Sequence, residues 1–95
     1  MGTLRFPPEN TERLKPHLRR LIEATRRHDG CITYDVAEDL LEPGLLRFSE
    51  LWPDFETLGR HLSAAHIAPW RAASAELGVR DRKFTAYRTV ETRAI

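Results

Sequence analysis

The sequence predicts an α+β fold of the ferredoxin-like, split βαβ type, with helices covering one face of an antiparallel sheet. Three observations predict it. Hydrophobic periodicity changes in kind along the chain, reading strand, helix, strand, strand, helix, helix, strand. The 95 residues are the size of one domain, here taken as 1–95. The hydrophobic fraction is 41%, enough for one packed core, and its even spread argues against disorder.

The elements follow in order. Gly2 to Phe6 reads as a short strand with Leu4 and Phe6 on one parity, ended by Pro7-Pro8. Asn10 or Thr11 is a candidate cap for the first helix. Leu14, Leu18, Leu21, Ile22 and Thr25 form its apolar stripe, opposite Arg13, Arg19, Arg20, Glu23, Arg26 and Arg27. Pro16 inside this pattern predicts a late start or a kink, and Asp29-Gly30 a stop. Cys31 to Glu38 alternates, with Ile32, Tyr34 and Val36 on one face. Glu42-Pro43-Gly44 is turn chemistry, and Leu45 to Trp52 is the returning strand, with Leu46, Phe48, Glu50 and Trp52 on one side.

Pro53-Asp54 opens a short helix expected to turn Phe55, Leu58 and Leu62 inward. Ser63 is a candidate cap for the next helix, whose stripe is Ile67, Trp70 and Leu77. Pro69 is expected to bend or delay that helix, and Gly78 to close it. Lys83 to Thr92, rich in β-branched and aromatic residues, reads as the final strand. The sheet face away from the helices is expected to carry apolar groups. A second copy is the simplest cover, because two-fold homodimers are the commonest oligomers.

Composition removes several function classes. Fifteen Lys+Arg against fourteen Asp+Glu give a net charge of +1, so no electrostatic case exists for nucleic acid or an anionic membrane. Thirteen of the fifteen basic residues are arginine, a bias that suits ion pairs or an interface. No apolar run approaches the roughly 20 residues of a membrane span. The opening Met1–Phe6 lacks the apolar region of a signal peptide and the myristoylation pattern. Cys31 is the only cysteine, so no intrachain disulfide forms and a reducing, cytoplasmic compartment is expected. The P-loop, GxGxxG, nucleophile-elbow and Cys-x-x-Cys motifs are all missing, which argues against nucleotide cofactors and structural zinc.

Four histidines remain as chemistry: His17, His28, His61 and His66. His66 shares a helix face with Trp70, and His61 borders the apolar stripe beside Leu58. Either could point toward the sheet as a general base; the alternative is a half-buried or capping histidine. His17 and His28 flank the first helix, and His28 suits its dipole. Metal binding by His61 and His66 would need further ligands, with Glu50 the nearest inward acid, and no metal is expected.

Glu50 shares a face with Phe48 and Trp52, so its carboxylate must be paired or protonated. Arg88, on the inward parity between Ala86 and Val90, is its candidate partner, in a structural pair or at a site. Tyr34, Phe48, Trp52, Trp70 and Tyr87 could line an aromatic pocket or fill the core. Cys31 reads as packing.

The run Gly30-Cys31-Ile32-x-Tyr34-x-Val36-x-Glu38-Asp39, then Glu42-Pro43-Gly44, then Glu50-x-Trp52-x-Asp54-x-x-x-Leu58-x-x-His61, then His66-x-x-x-Trp70, resembles the antibiotic biosynthesis monooxygenase family. The resemblance covers Thr3 to Glu91. It implies a dimeric α+β barrel with a pocket between helices and sheet in each subunit. Relatives include cofactor-free oxygenases of quinols and anthrones, haem-degrading enzymes and processors of small signalling molecules. It places His61 and Trp70 on helices bordering the pocket, with Glu50 and Trp52 on the strand beneath.

The sequence departs from parts of that pattern. Haem-degrading relatives use an asparagine on the first strand, and anthrone oxygenases one near the pocket. The only asparagine here is Asn10, so haem binding is a distant reading. The resemblance thus implies a cofactor-independent monooxygenase acting with O2 on a small aromatic quinol- or anthrone-like substrate. His61 or His66 would be the base, Trp52 and Trp70 the aromatic walls, and Tyr34 or Arg88 would contact an oxyanion, with Glu50 beneath. The alternative is a non-catalytic dimeric small-molecule-binding protein of the same fold.

Overall fold

The computed structural model describes residues 1–95. Its elements are β1 (Gly2–Arg5), α1 (Thr11–His28), β2 (Thr33–Glu38), β3 (Leu45–Leu51), α2 (Phe55–Leu62), α3 (Ile67–Glu76) and β4 (Arg80–Phe84), with a 3₁₀ turn at Pro8–Asn10. The four strands form one sheet of order β2-β3-β1-β4, antiparallel at every pairing. This is the predicted ferredoxin-like α+β arrangement.

Helix α1 begins at Thr11 despite Pro16, without the late start expected. The proline ring costs one hydrogen bond to the first turn, a loss that leaves the long apolar stripe in place. Asn10 sits at the cap position, but its side chain makes no capping bond; its amide donates to the Leu77 carbonyl at 2.9 Å, tying the start of α1 to the end of α3. Leu14, Leu21 and Thr25 are buried and Leu18 and Ile22 pack beside them. Gly30 leaves α1 at φ +76°, the left-handed conformation glycine adopts without strain.

Registers fix the sheet's inner face. Leu4 pairs Leu46 and Val36 pairs Phe48. Leu4, Leu46, Phe48 and Tyr34 meet Leu14 and Leu21 of α1 and Ile67, Trp70 and Leu77 in one core. Tight turns set these registers. Gly44 has φ +80°, and a side chain there would collide with the Phe6 carbonyl oxygen. Pro69 lies in the first turn of α3, where no intrahelical donor is needed.

Five expectations are corrected. The last strand is Arg80–Phe84, not Lys83–Thr92, because its ladder partner β1 spans only Gly2–Arg5. Past Phe84 the chain keeps one reciprocal pair, Thr85 with Met1, and then has no neighbour in the sheet. Ile32 precedes β2 and is 59% exposed. Ser63 ends α2 rather than starting α3, its hydroxyl donating to the Gly59 and Arg60 carbonyls.

Helix α2 turns Thr57 and His61 inward, whereas Phe55 and Leu62 are exposed. Its phase is set by Asp54, which accepts the Thr57 N–H at 2.7 Å. Finally, the outer sheet face is largely polar: Thr3, Arg5, Arg47, Ser49 and Lys83 surround Leu45 and Leu51. Besides Leu51 on this face, exposed apolar groups lie at Ile32, Leu40 and Leu41, at Phe55 and Leu62 of α2, at Phe84 ending β4 and at Tyr87 and Val90 beyond it.

Candidate functional site

Three helix ends converge on one carboxylate. Asp29 is the C-cap of α1, His61 stands in the last turn of α2, and His66 is the residue before α3. His61 Nδ1 lies 2.6 Å and His66 Nε2 2.8 Å from the same oxygen, Asp29 Oδ2. A carboxylate only accepts, so each ring donates from that nitrogen. The Asp29 and His61 side chains are 6% and 5% exposed, and His66 24%. In such a setting charge-assisted bonds are short and strong.

Asp29 also receives backbone support, because its own N–H donates to the Thr25 carbonyl at 3.1 Å. Gly30 follows at once, and a side chain on it would stand 3.2 Å from Thr57 Cγ2. The end of α1 is therefore pressed against the first turn of α2.

The His61 ring is held between aromatics. Trp52 lies 4.9 Å and Tyr34 5.5 Å away, centroid to centroid. Tyr34 is buried and meets Phe48 and Trp52 edge-on. Burial, reinforced by the negative charges of Glu50 and Asp29, pushes its phenol far above the ordinary range. Tyr34 is thus a neutral hydroxyl at any physiological pH. Glu50 is half-buried and accepts the Trp52 indole N–H at 3.0 Å.

The sequence-predicted residues therefore divide. His61, His66, Tyr34 and Trp52 are gathered around Asp29, with Glu50 one contact further out. Trp70 is buried in the core and also lines a groove described below. Arg88 is not part of the cluster. It lies beyond β4 with its guanidinium 5.0 Å from the Phe55 ring centre, because the strand expected to turn it inward ends at Phe84. The residue missed is Asp29, read from sequence only as a helix stop. Cys31 behaves as packing: its thiol points to the Thr25 carbonyl, and burial pushes its pKa up.

Between helices and sheet, Leu4, Tyr34, Phe48 and Trp70 pack in one buried core. The notable opening lies between α1 and α3, a groove of about 350 Å³ whose lining includes Leu21, Trp70 and His66, with Arg20 and Arg27 at its walls. His66 thus reaches both Asp29 and open space. Its second nitrogen, Nδ1, makes no hydrogen bond to protein.

The ligand atoms of Asp29, His61 and His66 all lie within 4.8 Å of one another. Two imidazoles and one carboxylate form a donor set that could hold a divalent ion. Donors around one such ion stand roughly 3 Å apart or more, given metal–ligand bonds of about 2.0–2.1 Å. The 2.6 and 2.8 Å separations here are those of hydrogen bonds.

The fold and this site define an α+β protein with a carboxylate-held histidine pair at the edge of its core. A sequence profile described as antibiotic biosynthesis monooxygenase matches residues 1–73. The chain belongs to that family. It is similar to a Deinococcus radiodurans structure described as a candidate antibiotic biosynthesis monooxygenase, at 35% identity and TM-score 0.90, over 99% of this chain and 93% of that one.

A Mycobacterium tuberculosis structure is 27% identical, with TM-score 0.80 over 98% and 96%. A Caulobacter crescentus structure at 19% identity and TM-score 0.87, over 95% and 86%, shares the fold. An uncharacterised Synechocystis protein is 24% identical over 94 residues; the match covers 99% of this chain and 64% of that protein. No helix is long and apolar enough to cross a membrane.

Proposed function

We propose that residues 1–95 act as one unit, a cofactor-independent monooxygenase that oxidises a small aromatic quinol- or anthrone-like substrate with O2. In this reading it works as a cytoplasmic homodimer. Family membership supports the oxidoreductase class. The observation that carries the chemistry is the Asp29 carboxylate 2.8 Å from His66 Nε2, on a histidine that also lines an open groove.

Asp29 fixes the His66 tautomer with the proton on Nε2 and leaves Nδ1 as the base. It also stabilises the imidazolium formed when Nδ1 takes a substrate hydroxyl proton, as a buried aspartate does in a catalytic triad. The resulting phenolate is electron-rich enough to pass one electron to dioxygen. Recombination forms the new carbon–oxygen bond, and the remaining oxygen atom leaves as water. A quinol plus O2 gives a hydroxyquinone plus water, with all four electrons drawn from the substrate. His61, wedged between Tyr34 and Trp52, positions Asp29 for His66.

The test is oxygen uptake by chelator-treated protein against hydroquinones, naphthoquinols and anthrones, with an autoxidation control. Uptake well above the control is expected, falling by about 10²–10⁴ in His66→Ala. No uptake across the panel, or full uptake in both His66→Ala and His61→Ala, overturns the proposal. The filled interior around buried Phe48 and Trp70 favours the second reading, a dimeric small-molecule-binding protein without turnover. Ligand capture without oxygen uptake would establish it.

A further inference from the structure

We propose that the α1/α3 groove selects an anionic substrate, a small planar aromatic carrying a carboxylate that Arg20 and Arg27 bind. This deepens the oxygenase reading and rests on it for turnover, though not for binding. Arg20 and Arg27 are seven residues apart, two turns along one face of α1, and both line the groove. Seven of the thirteen arginines pair with an acid; Arg20 and Arg27 are among the six that do not. The sole side-chain contact of Arg20 is His17 Nδ1 at 3.3 Å.

Glu23 also lines the groove and stands between them in sequence, yet it forms no ion pair with either guanidinium. Two unpaired guanidiniums against one carboxylate leave a positive excess. A guanidinium fork matches a carboxylate in two parallel hydrogen bonds. The apolar part of the lining is Leu21, Ala24, Pro69 and Trp70, of which Pro69 is exposed and Ala24 half-buried. That surface suits a flat hydrocarbon face.

Acid at the arginines, ring against Pro69 and Ala24 and hydroxyl at His66 Nδ1 describe one molecule, a hydroxylated aromatic acid. A volume of about 350 Å³ lies in the range of small-molecule sites.

The experiment measures calorimetric binding of 2-naphthoate and of 2-naphthol, which is neutral at pH 7, to the full chain. Naphthoate is expected to bind at least about tenfold more tightly, with the advantage shrinking in 0.5 M salt. The exposed double substitution Arg20→Gln/Arg27→Gln should remove it, while Lys83→Gln on the far sheet face should not. Equal affinities in the unsubstituted protein, or a preference that survives the double substitution, overturns the proposal.

Oxygen uptake with 1,4-dihydroxy-2-naphthoate and 1,4-naphthohydroquinone separates the two readings. Selective naphthoate binding without uptake leaves the groove assignment standing and removes the oxygenase. Uptake with equal KM for both quinols does the reverse.

Discussion

Replacing Asp29 by asparagine changes one oxygen into an amide nitrogen and removes one negative charge. In the native protein Asp29 Oδ2 accepts from His61 Nδ1 at 2.6 Å and from His66 Nε2 at 2.8 Å, with side chains no more than 24% exposed. A hydrogen bond to a charged group contributes about 1.5–3 kcal/mol. The asparagine amide can keep one acceptor, now neutral and weaker. Its NH2 group turns a donor toward whichever ring is left. One bond is weakened and the other lost, so Asp29→Asn should destabilise the fold by about 2–4 kcal/mol.

For a chain of this size that lowers the melting temperature by roughly 10–20 °C. The control is Asp35→Asn. Asp35 pairs Arg26 at 2.9 Å, but on the surface, with side chains 64% and 56% exposed. Its loss should cost under about 1 kcal/mol. Thermal and urea unfolding by circular dichroism, at one protein concentration and pH 7, reads both. An Asp29→Asn protein within about 0.5 kcal/mol of the parent would refute the claim that this carboxylate ties three helix ends together.

Tyr34 gives a pH signature: its folded-state pKa is raised above the ordinary value of 10.0 by burial. Its contribution is therefore complete below pH 10 and lost as pH rises above it. The urea midpoint should fall between pH 9 and pH 11, and less steeply in Tyr34→Phe; parallel slopes would contradict this. Gly44→Ala meets both a positive φ and the Phe6 carbonyl oxygen, so a loss of about 2 kcal/mol or more is expected by urea unfolding. An unchanged midpoint would show the turn to be adaptable. The exposed Phe84, Tyr87 and Val90 and the polar outer face predict a dimer closed through the tail and α2. Light scattering should give twice 11.0 kDa, and removing residues 86–95 should give a monomer. A full-chain monomer, or a dimer unaffected by truncation, would refute it.

Local pattern carried much of the architecture. Helix α1 reads from its stripe because five apolar or small residues recur at helical spacing, a signal one proline does not cancel. Trp70 and Leu77 of the α3 region are buried as their spacing requires. The failures share a cause, dependence on a distant neighbour. Residues 85–92 have strand composition, but a strand needs a ladder partner, and β1 stops being one at Gly2. That error displaced Arg88 as well, since its inward parity assumed the strand. In α2 Phe55 and Leu62 are exposed while Thr57 and His61 are buried and Leu58 is half-buried, because the Asp54 cap and the His61–Asp29 contact together set the helix phase.

Asp29 was hidden for a related reason. It lies 32 residues from His61 and 37 from His66, and no periodicity links helix ends that far apart. One signal was nevertheless present. An acid in the last turn of a helix faces the negative end of the dipole, where Arg26, Arg27 and His28 are the favourable types. Capping alone is served better by Gly30, so a carboxylate placed just before it needs another reason. The two imidazoles supply it. They place partial positive charge beside Oδ2 where the helix end would repel the anion, and the left-handed turn at Gly30, which brings the end of α1 close to Thr57, keeps that oxygen near α2. A residue unfavourable by its local rule is thus the one on which the three helix ends meet.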